Sequence, residues 1–392
     1  MKKYWKIAVI TAMTVSAIGT FYLSSAVSAK DLPEFVIQKQ EGDARLADSI
    51  VIEGSYSQRL ISRELEITTR GTTYEDEVFL MHLFGGHVPK IGEFIQEHRD
   101  FMRGKSEALR SFYEDQHYLI YVNAINKTSA QHGYKFFIDV LDKEQGRSRS
   151  FELPIPNQAA NHTIIVEDVQ WVNGQLKVVT VTYSGKGAVA HIYTVSISGP
   201  QLLSDETVIS ALQNSGGDHS YISLVEECSP TKRHDILVFD KVNRKTTAED
   251  KMQVDHTLIA YDLATKEKYQ VPMPEKADHL PNMLFDDRFL YLNDIKDQGT
   301  KLIPFDLKSR KWQDAMEIRV PNEKNSVGRL MVSIKDGKVY TLYPFNVEAS
   351  SARLTVTDIK SKSILFQGKV EAKQPSSVKN KDRLYFYQMT IQ

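Results

Sequence analysis

The chain has 392 residues, with 49 Lys and Arg against 50 Asp and Glu, and 41% of it is hydrophobic. That balance is ordinary for a globular protein and lacks the basic face that binding to nucleic acid requires. One cysteine, Cys228, excludes an intramolecular disulfide, so stability must come from the size of the core.

The chain starts with a short cationic stretch, "MKKYWK", then the moderately apolar "IAVITAMTVSAIGTFYL", then the small residues of "SSAVSA". This is the order of a secretory signal, so residues 1–29 are expected to be a signal peptide or an uncleaved membrane anchor. As a helix, residues 7–23 would reach about 26 Å, short of the roughly 30 Å of a bilayer core, which favours cleavage. Either outcome exports residues 30–392, secreted or held at the outer face of the cytoplasmic membrane. Removal of Lys2, Lys3 and Lys6 leaves the remainder three charges more acidic. A short cationic start and no cystines have the style of a bacterial exported protein.

Next come "DSIVIEG" (48–54) and "RELEITTR" (63–70), two strand-like runs with no sheet of their own. In "KIGEFIQEHRDFM" the apolar Ile91, Phe94, Ile95 and Met102 fall partly at helical spacing. A helix over 91–102 is one expectation there, and a divergent set of short strands including "EVFLMHLF" is the other.

From residue 134 onward a phrase recurs. "YKFFIDVLDKEQGRSRSFELPIP", "AHIYTVSISGPQLLSDETVI", "LIAYDLATKEKYQVPMPE", "TKLIPFDLKSRKWQDAMEIRVP" and "ARLTVTDIKSKSILFQGKVE" each join two strand-prone runs through a polar turn. Asp142, Ile197, Asp262, Asp306 and Asp358 mark equivalent points, and aspartate suits a turn because its carboxylate bonds nearby amides. A further strand precedes each hairpin, twice introduced by a strong turn pair, Asn173-Gly174 and Asp336-Gly337. Residues 241–255 read as a polar loop between strands.

Units of three or four antiparallel strands at a period of roughly fifty residues resemble β-propellers. The expected fold is all-β: a single β-propeller over 30–392, with seven blades preferred and six possible. Its ring would be closed by N- and C-terminal strands, with Arg383–Ile391 beside residues 48–70 so that no edge is left open. Two β-sandwich domains are the alternative.

No nucleophile elbow, phosphate loop, zinc-binding helix or calcium loop occurs in the sequence, and no metal, cofactor or catalytic residue is expected from motifs. The weak site candidates are His87 after two glycines, and the pairs Asp218-His219, Asp255-His256 and Asp278-His279. Loop residues of these types also satisfy backbone groups between blades. The tyrosines at 118, 121, 134, 183 and 193, with Trp171 and Trp312, could line a ligand face or pack between sheets. The expected function is a non-enzymatic platform binding a protein, peptide or envelope component, a membrane transporter or sensor among them. The alternative is a hydrolase or lyase for a carbohydrate or lactone, with His and Asp in a central channel. A ligand sensor with a Tyr-rich channel is a third reading.

Overall fold

A computed structural model describes residues 32–58, 61–74, 89–126, 133–156, 162–212, 219–225, 229–246, 252–273, 282–286, 288–296, 299–319, 330–346, 351–374, 378 and 382–391. The expected signal segment 1–29, residues 247–251 of the expected loop 241–255, the run "EVFLMHLF" and Cys228 lie outside these residues. The chain divides into two compact units. One comprises Met1–Leu80, Asp297–Gly299 and Ile318–Gln392; the other comprises Met81–Lys296 and Thr300–Glu317. Among the described residues no helix is long and apolar enough to cross a membrane.

The described residues hold six antiparallel sheets, none closed on itself. Sheets I to IV belong to the larger unit. Sheet I contains Phe112–Glu114, Tyr118–Asn126, Tyr134–Asp142 and Arg147–Pro154. Sheet II contains Thr163–Val172, Gln175–Ser184, Gly187–Ser196 and Gln201–Leu212. Sheet III contains His219–Leu224, Ile236–Thr246, Met252–Asp262 and Lys268–Val271, and sheet IV is built on Asn282–Asp286, Phe289–Lys296, Gly299–Asp306 and Lys311–Trp312. Along these four strands of each sheet, chain neighbours are sheet neighbours. The segment expected as a loop over 241–255 is partly strand: Ile236–Thr246 and Met252–Asp262 pair from Ile236↔Asp262 to Thr246↔Met252.

The recurring phrase is the turn between the third and fourth strands. Asp262 Oδ1 accepts the amides of Ala264 (2.9 Å) and Thr265 (2.7 Å), while its carbonyl accepts the amide of Lys266 at 2.8 Å. Asp306 and Asp358 repeat the pattern, with Arg310 and Lys362 bonded back to them at 2.7 and 2.9 Å. The residue that closes each turn is left-handed: φ is 64° at Lys266, 57° at Arg310 and 57° at Lys362. After Asp142 that position is Gly146 (φ 61°), the residue that takes this conformation without strain. Lys362→Gly is therefore expected to raise stability by about 1 kcal/mol, and Lys362→Val to lower it. Urea midpoints of the two variants test this, and equal midpoints would refute it.

Alternation along the strands gives the inner sheets two buried faces. On sheet II, Leu176, Val178, Tyr193 and Val195 pack with Ile120, Phe136 and Ile138 of sheet I. The opposite face presents Val179, Val181, Ala190 and Ile192 to Leu237, Phe239 and Tyr261 of sheet III. Sheet III in turn shares Val238, Leu258 and Ala260 with Leu290 and Phe305 of sheet IV. Burying each Val, Leu, Ile or Phe among these contributes about 1.5–3 kcal/mol. A sheet buried on both faces is not the arrangement of a two-sheet sandwich, whose outer faces meet solvent.

The remaining face of sheet I is covered by helices. Helix α1 spans Pro89–Glu97 and α2 spans Arg99–Met102. Ile91, Phe94, Phe101 and Met102 pack on Phe112, Leu119, Tyr121 and Leu141. The helical spacing at 91–102 is thus realised, with a break at His98. The described residues hold six sheets and no strand between Tyr74 and Phe112; residues 75–88, with the run expected to form short strands, lie outside them.

In the smaller unit, sheet V joins Met331–Lys335, Lys338–Asn346, Ser351–Asp358 and Ile364–Ala372 to Phe35–Gly42. Sheet VI joins Arg383–Ile391 to Ile50–Gln58, Ile61–Thr68 and Gly71–Tyr74. The expected pairing of the last strand beside residues 48–70 is present, running from Ile50↔Ile391 to Ser57↔Arg383. Phe35–Gly42 adds a second join between early and late chain, antiparallel to Ile364–Ala372, that the sequence reading did not anticipate.

Candidate functional site

In the larger unit, turns of sheets II, III and IV line an open recess of about 430 Å³. Sheet II contributes Val172 and Asn173, from an Asn-Gly turn with φ of 52° and 73° at its two central residues. Sheet III contributes Arg233, Asp235 and Ile236 at the entry to a strand, and Asp262, Ala264, Glu267 and Tyr269 around its second turn. Sheet IV contributes Leu307, Lys308 and Arg310 from the equivalent turn. The repeated phrase that builds the hairpins therefore also furnishes the walls. Because the Asp262 and Asp306 turns are each locked by the aspartate and by a backbone bond, the side chains they carry start from fixed positions.

The floor is apolar. Ile236, Leu307 and Val172 are buried, and Tyr269 is half-buried with its hydroxyl donating to the Leu307 carbonyl at 2.6 Å. Burial pushes that hydroxyl up to about 12, against the opposing pull of the Arg310 charge, so it stays a donor at neutral pH. The Arg310 guanidinium lies 4.3 Å from the Tyr269 ring centroid and bonds Glu267 at 2.6 Å. Asp262 is occupied by its turn amides. Arg233, Lys308 and Asp235 are exposed and have no ion-pair partner among the described residues. The recess thus offers fixed walls, an aromatic face and unpaired charges of both signs.

Sheet IV's turn is held from outside the recess as well. Asp306 is buried and pairs with Arg288, which holds its carboxyl far below the usual carboxylate range. Protonating it would break that pairing, so the turn's support is present at neutral pH and fades only in strong acid.

Of the sequence candidates, His87, Asp218, Asp278 and His279 lie outside the described residues. His219 begins a strand, opposite Arg244. Asp255 and His256 are described, and they do not act together. Asp255 is exposed, whereas His256 turns to the other face of the strand and bonds Asp240 through Nδ1 at 2.7 Å. Asp240 stands on the neighbouring strand, diagonal to His256, whose direct opposite is Val242. Burial raises the Asp240 carboxyl, with the histidine pulling the other way. Asp240 Oδ1 and His256 Nε2 are buried and make no hydrogen bond. Sheet II repeats the diagonal with His191 and Asp205 at 2.9 Å. Among the described residues no group of three His, Cys, Asp or Glu could hold a metal ion.

The aromatic candidates pack. Trp171 meets Tyr118 at 5.7 Å between centroids, Tyr193 meets Phe136 at 5.0 Å, and Trp312 donates to the Pro272 carbonyl at 2.7 Å. Lys177 was not among the sequence candidates. It is buried, with Nζ on Thr194 at 3.0 Å and Gln175 at 3.4 Å, and burial chiefly lowers its pKa. The recess residues are not legible as a site in the sequence, although Asp262 and Asp306 mark turn points there. Their charged neighbours, in "DLATKEKY" and "DLKSRKW", were the available signal.

No family model and no curated protein matches the sequence. Similar solved structures include a polysaccharide lyase at 11% identity and TM-score 0.37, which aligns over 67% of this chain and 57% of its own. An apocarotenoid oxygenase from Synechocystis follows at 10% and 0.33, over 66% and 59%. The β-propeller domain of a protease from Pyrococcus furiosus, at 11% and 0.34, aligns over 90% and 97%. This chain therefore spans less than two thirds of the lyase and the oxygenase.

Proposed function

We propose that the chain is an exported β-propeller whose sheets act as blades, and that it works as a non-enzymatic platform binding a protein, peptide or envelope component. The propeller reading is supported by the succession of sheets I to IV, each sharing a core with the next, and by late strands paired with early ones in sheets V and VI. Export rests on the residue order of segment 1–29 alone, and a membrane transporter or sensor as partner rests on the same segment. The binding role is carried by one observation, the recess whose turns hold Arg233, Asp235 and Lys308 unpaired around an apolar floor. Recesses of roughly 300–1,000 Å³ with a few placed polar groups are the usual form of ligand sites.

Affinity capture from cells making the full chain, residues 1–29 included, tests this. A reproducible partner is expected with the wild type and is expected to be lost with Arg233→Gln/Lys308→Gln. Capture of nothing above an unrelated exported control would overturn the platform. A second reading, a hydrolase or lyase for a carbohydrate or lactone, is favoured by one arrangement. The Asp240 carboxylate orients His256 through Nδ1 and leaves Nε2 without a partner, the pairing that prepares a general base. Nε2 is buried, however, so a substrate reaches it only if the packing around it opens. Turnover of such substrates by the pure chain, lost in His256→Asn, would replace the platform reading.

A further inference from the structure

We infer that the recess on the turns of sheets II, III and IV takes an acidic peptide, seating one side-chain carboxylate between Arg233 and Lys308. The inference rests on the binding-platform reading and gives that site its ligand class.

The charges decide the sign. Six ionisable side chains line the recess besides Tyr269, and three of them are already engaged: Arg310 with Glu267, and Asp262 with the amides of its own turn. Two cations and one acid are left, Arg233, Lys308 and Asp235, an excess of one positive charge. A monoanion neutralises that excess. A phosphate dianion would overshoot it and would meet Asp235 and Glu267 on the same walls. Arginine's planar fork matches a carboxylate with two parallel bonds, and lysine supplies a point charge beside it.

The rest of the lining fits what surrounds an acidic side chain in a peptide. Tyr269, Ile236 and Leu307 offer apolar surface to the methylenes that carry the carboxylate. Asp235, left without a cation, accepts a backbone N–H of the same ligand. Arg310 is not the primary anchor. Its guanidinium is committed to Glu267 and to the Tyr269 face, and its left-handed backbone fixes it there.

The experiment is calorimetric titration of the purified chain with an acetylated, amidated tripeptide of three glutamates and with its all-glutamine counterpart. Citrate and inorganic phosphate serve as separate probes. The glutamate peptide is expected to bind, more weakly as salt rises, and the glutamine peptide is not. Arg233→Gln and Lys308→Gln are each expected to weaken binding about tenfold or more, while Lys308→Arg retains most of it. Both positions are exposed, so thermal unfolding of the variants is expected to match the wild type. Equal binding of the two peptides, or unchanged affinity in both glutamine variants, would overturn the inference. Tighter binding of citrate or phosphate than of the peptide would overturn it as well, in favour of a small anion. Failure of the glutamate peptide while cellular capture persists would sink this inference alone; peptide binding without any captured partner would sink the platform and leave the carboxylate site.

Discussion

Asp139→Ala is expected to destabilise the larger unit by about 3–5 kcal/mol, among the largest effects available to a single polar side chain here. Asp139 sits mid-strand in sheet I, on the face covered by α1 and α2. Lys105 reaches down from just past α2 and meets its Oδ2 at 2.6 Å, with the two side chains only 5% and 10% exposed. Ser150 donates to the other oxygen at 3.1 Å, and the Lys105 ammonium also bonds the Phe101 carbonyl. The same ammonium lies 3.8 Å from the Phe101 ring centroid. Removing the acid strands a buried cation that water cannot reach. Removing both charges does not, so Lys105→Met/Asp139→Leu is expected to recover most of the loss. Urea unfolding gives the totals, and hydrogen exchange at residues 89–102 should report the single variant first, because the pair clamps the helical cover to the sheet. A loss below about 1 kcal/mol in Asp139→Ala would show that the pair is solvated and the clamp unimportant.

What the sequence made legible was whatever is local. The turn aspartates could be aligned from residue order alone because an aspartate turn closes within five residues. Asp142, Asp262, Asp306 and Asp358 indeed occupy one position in four sheets. The helix was legible for a similar reason, since Ile91, Phe94 and Ile95 recur within one and a half turns and all face sheet I. Of the histidine candidates, His256 is the one whose surroundings are described, and it does not pair with its sequence neighbour. Consecutive strand residues point to opposite faces, so Asp255 could never have served His256. Its true partner, Asp240, becomes adjacent only through the register that sets Val242 against His256. The recess was hidden for the same reason on a larger scale. Arg233, Tyr269 and Lys308 come from three separate chain segments, and no single window of sequence holds them together.

Gly54→Val is expected to cost about 3 kcal/mol, the upper range for forcing bulk into a packed site, and to strike the pairing of early and late chain. Gly54 lies in Ile50–Gln58, where the register with Arg383–Ile391 shifts between Glu53 and Gly54. Tyr387 is the extra residue there, and its hydroxyl bonds Ser55. A Cβ at Gly54 would stand in the Tyr385 carbonyl oxygen, which is backbone and cannot swing aside. Glycine inside a strand marks such a close approach of another main chain. The substitution therefore pushes the last strand away from its partner. That move uncovers Leu384 and Met389, and it strains the buried bond from the Tyr56 hydroxyl to Asp382 at 2.7 Å. Hydrogen exchange separates this from a general loss of stability. Amides of 383–391 and 50–58 should lose protection while those of Gln175–Ser184 in the other unit keep theirs. If protection across 383–391 stays native in Gly54→Val, the late strand is held by something other than this pairing, and the proposed closure of the propeller by its termini falls with it.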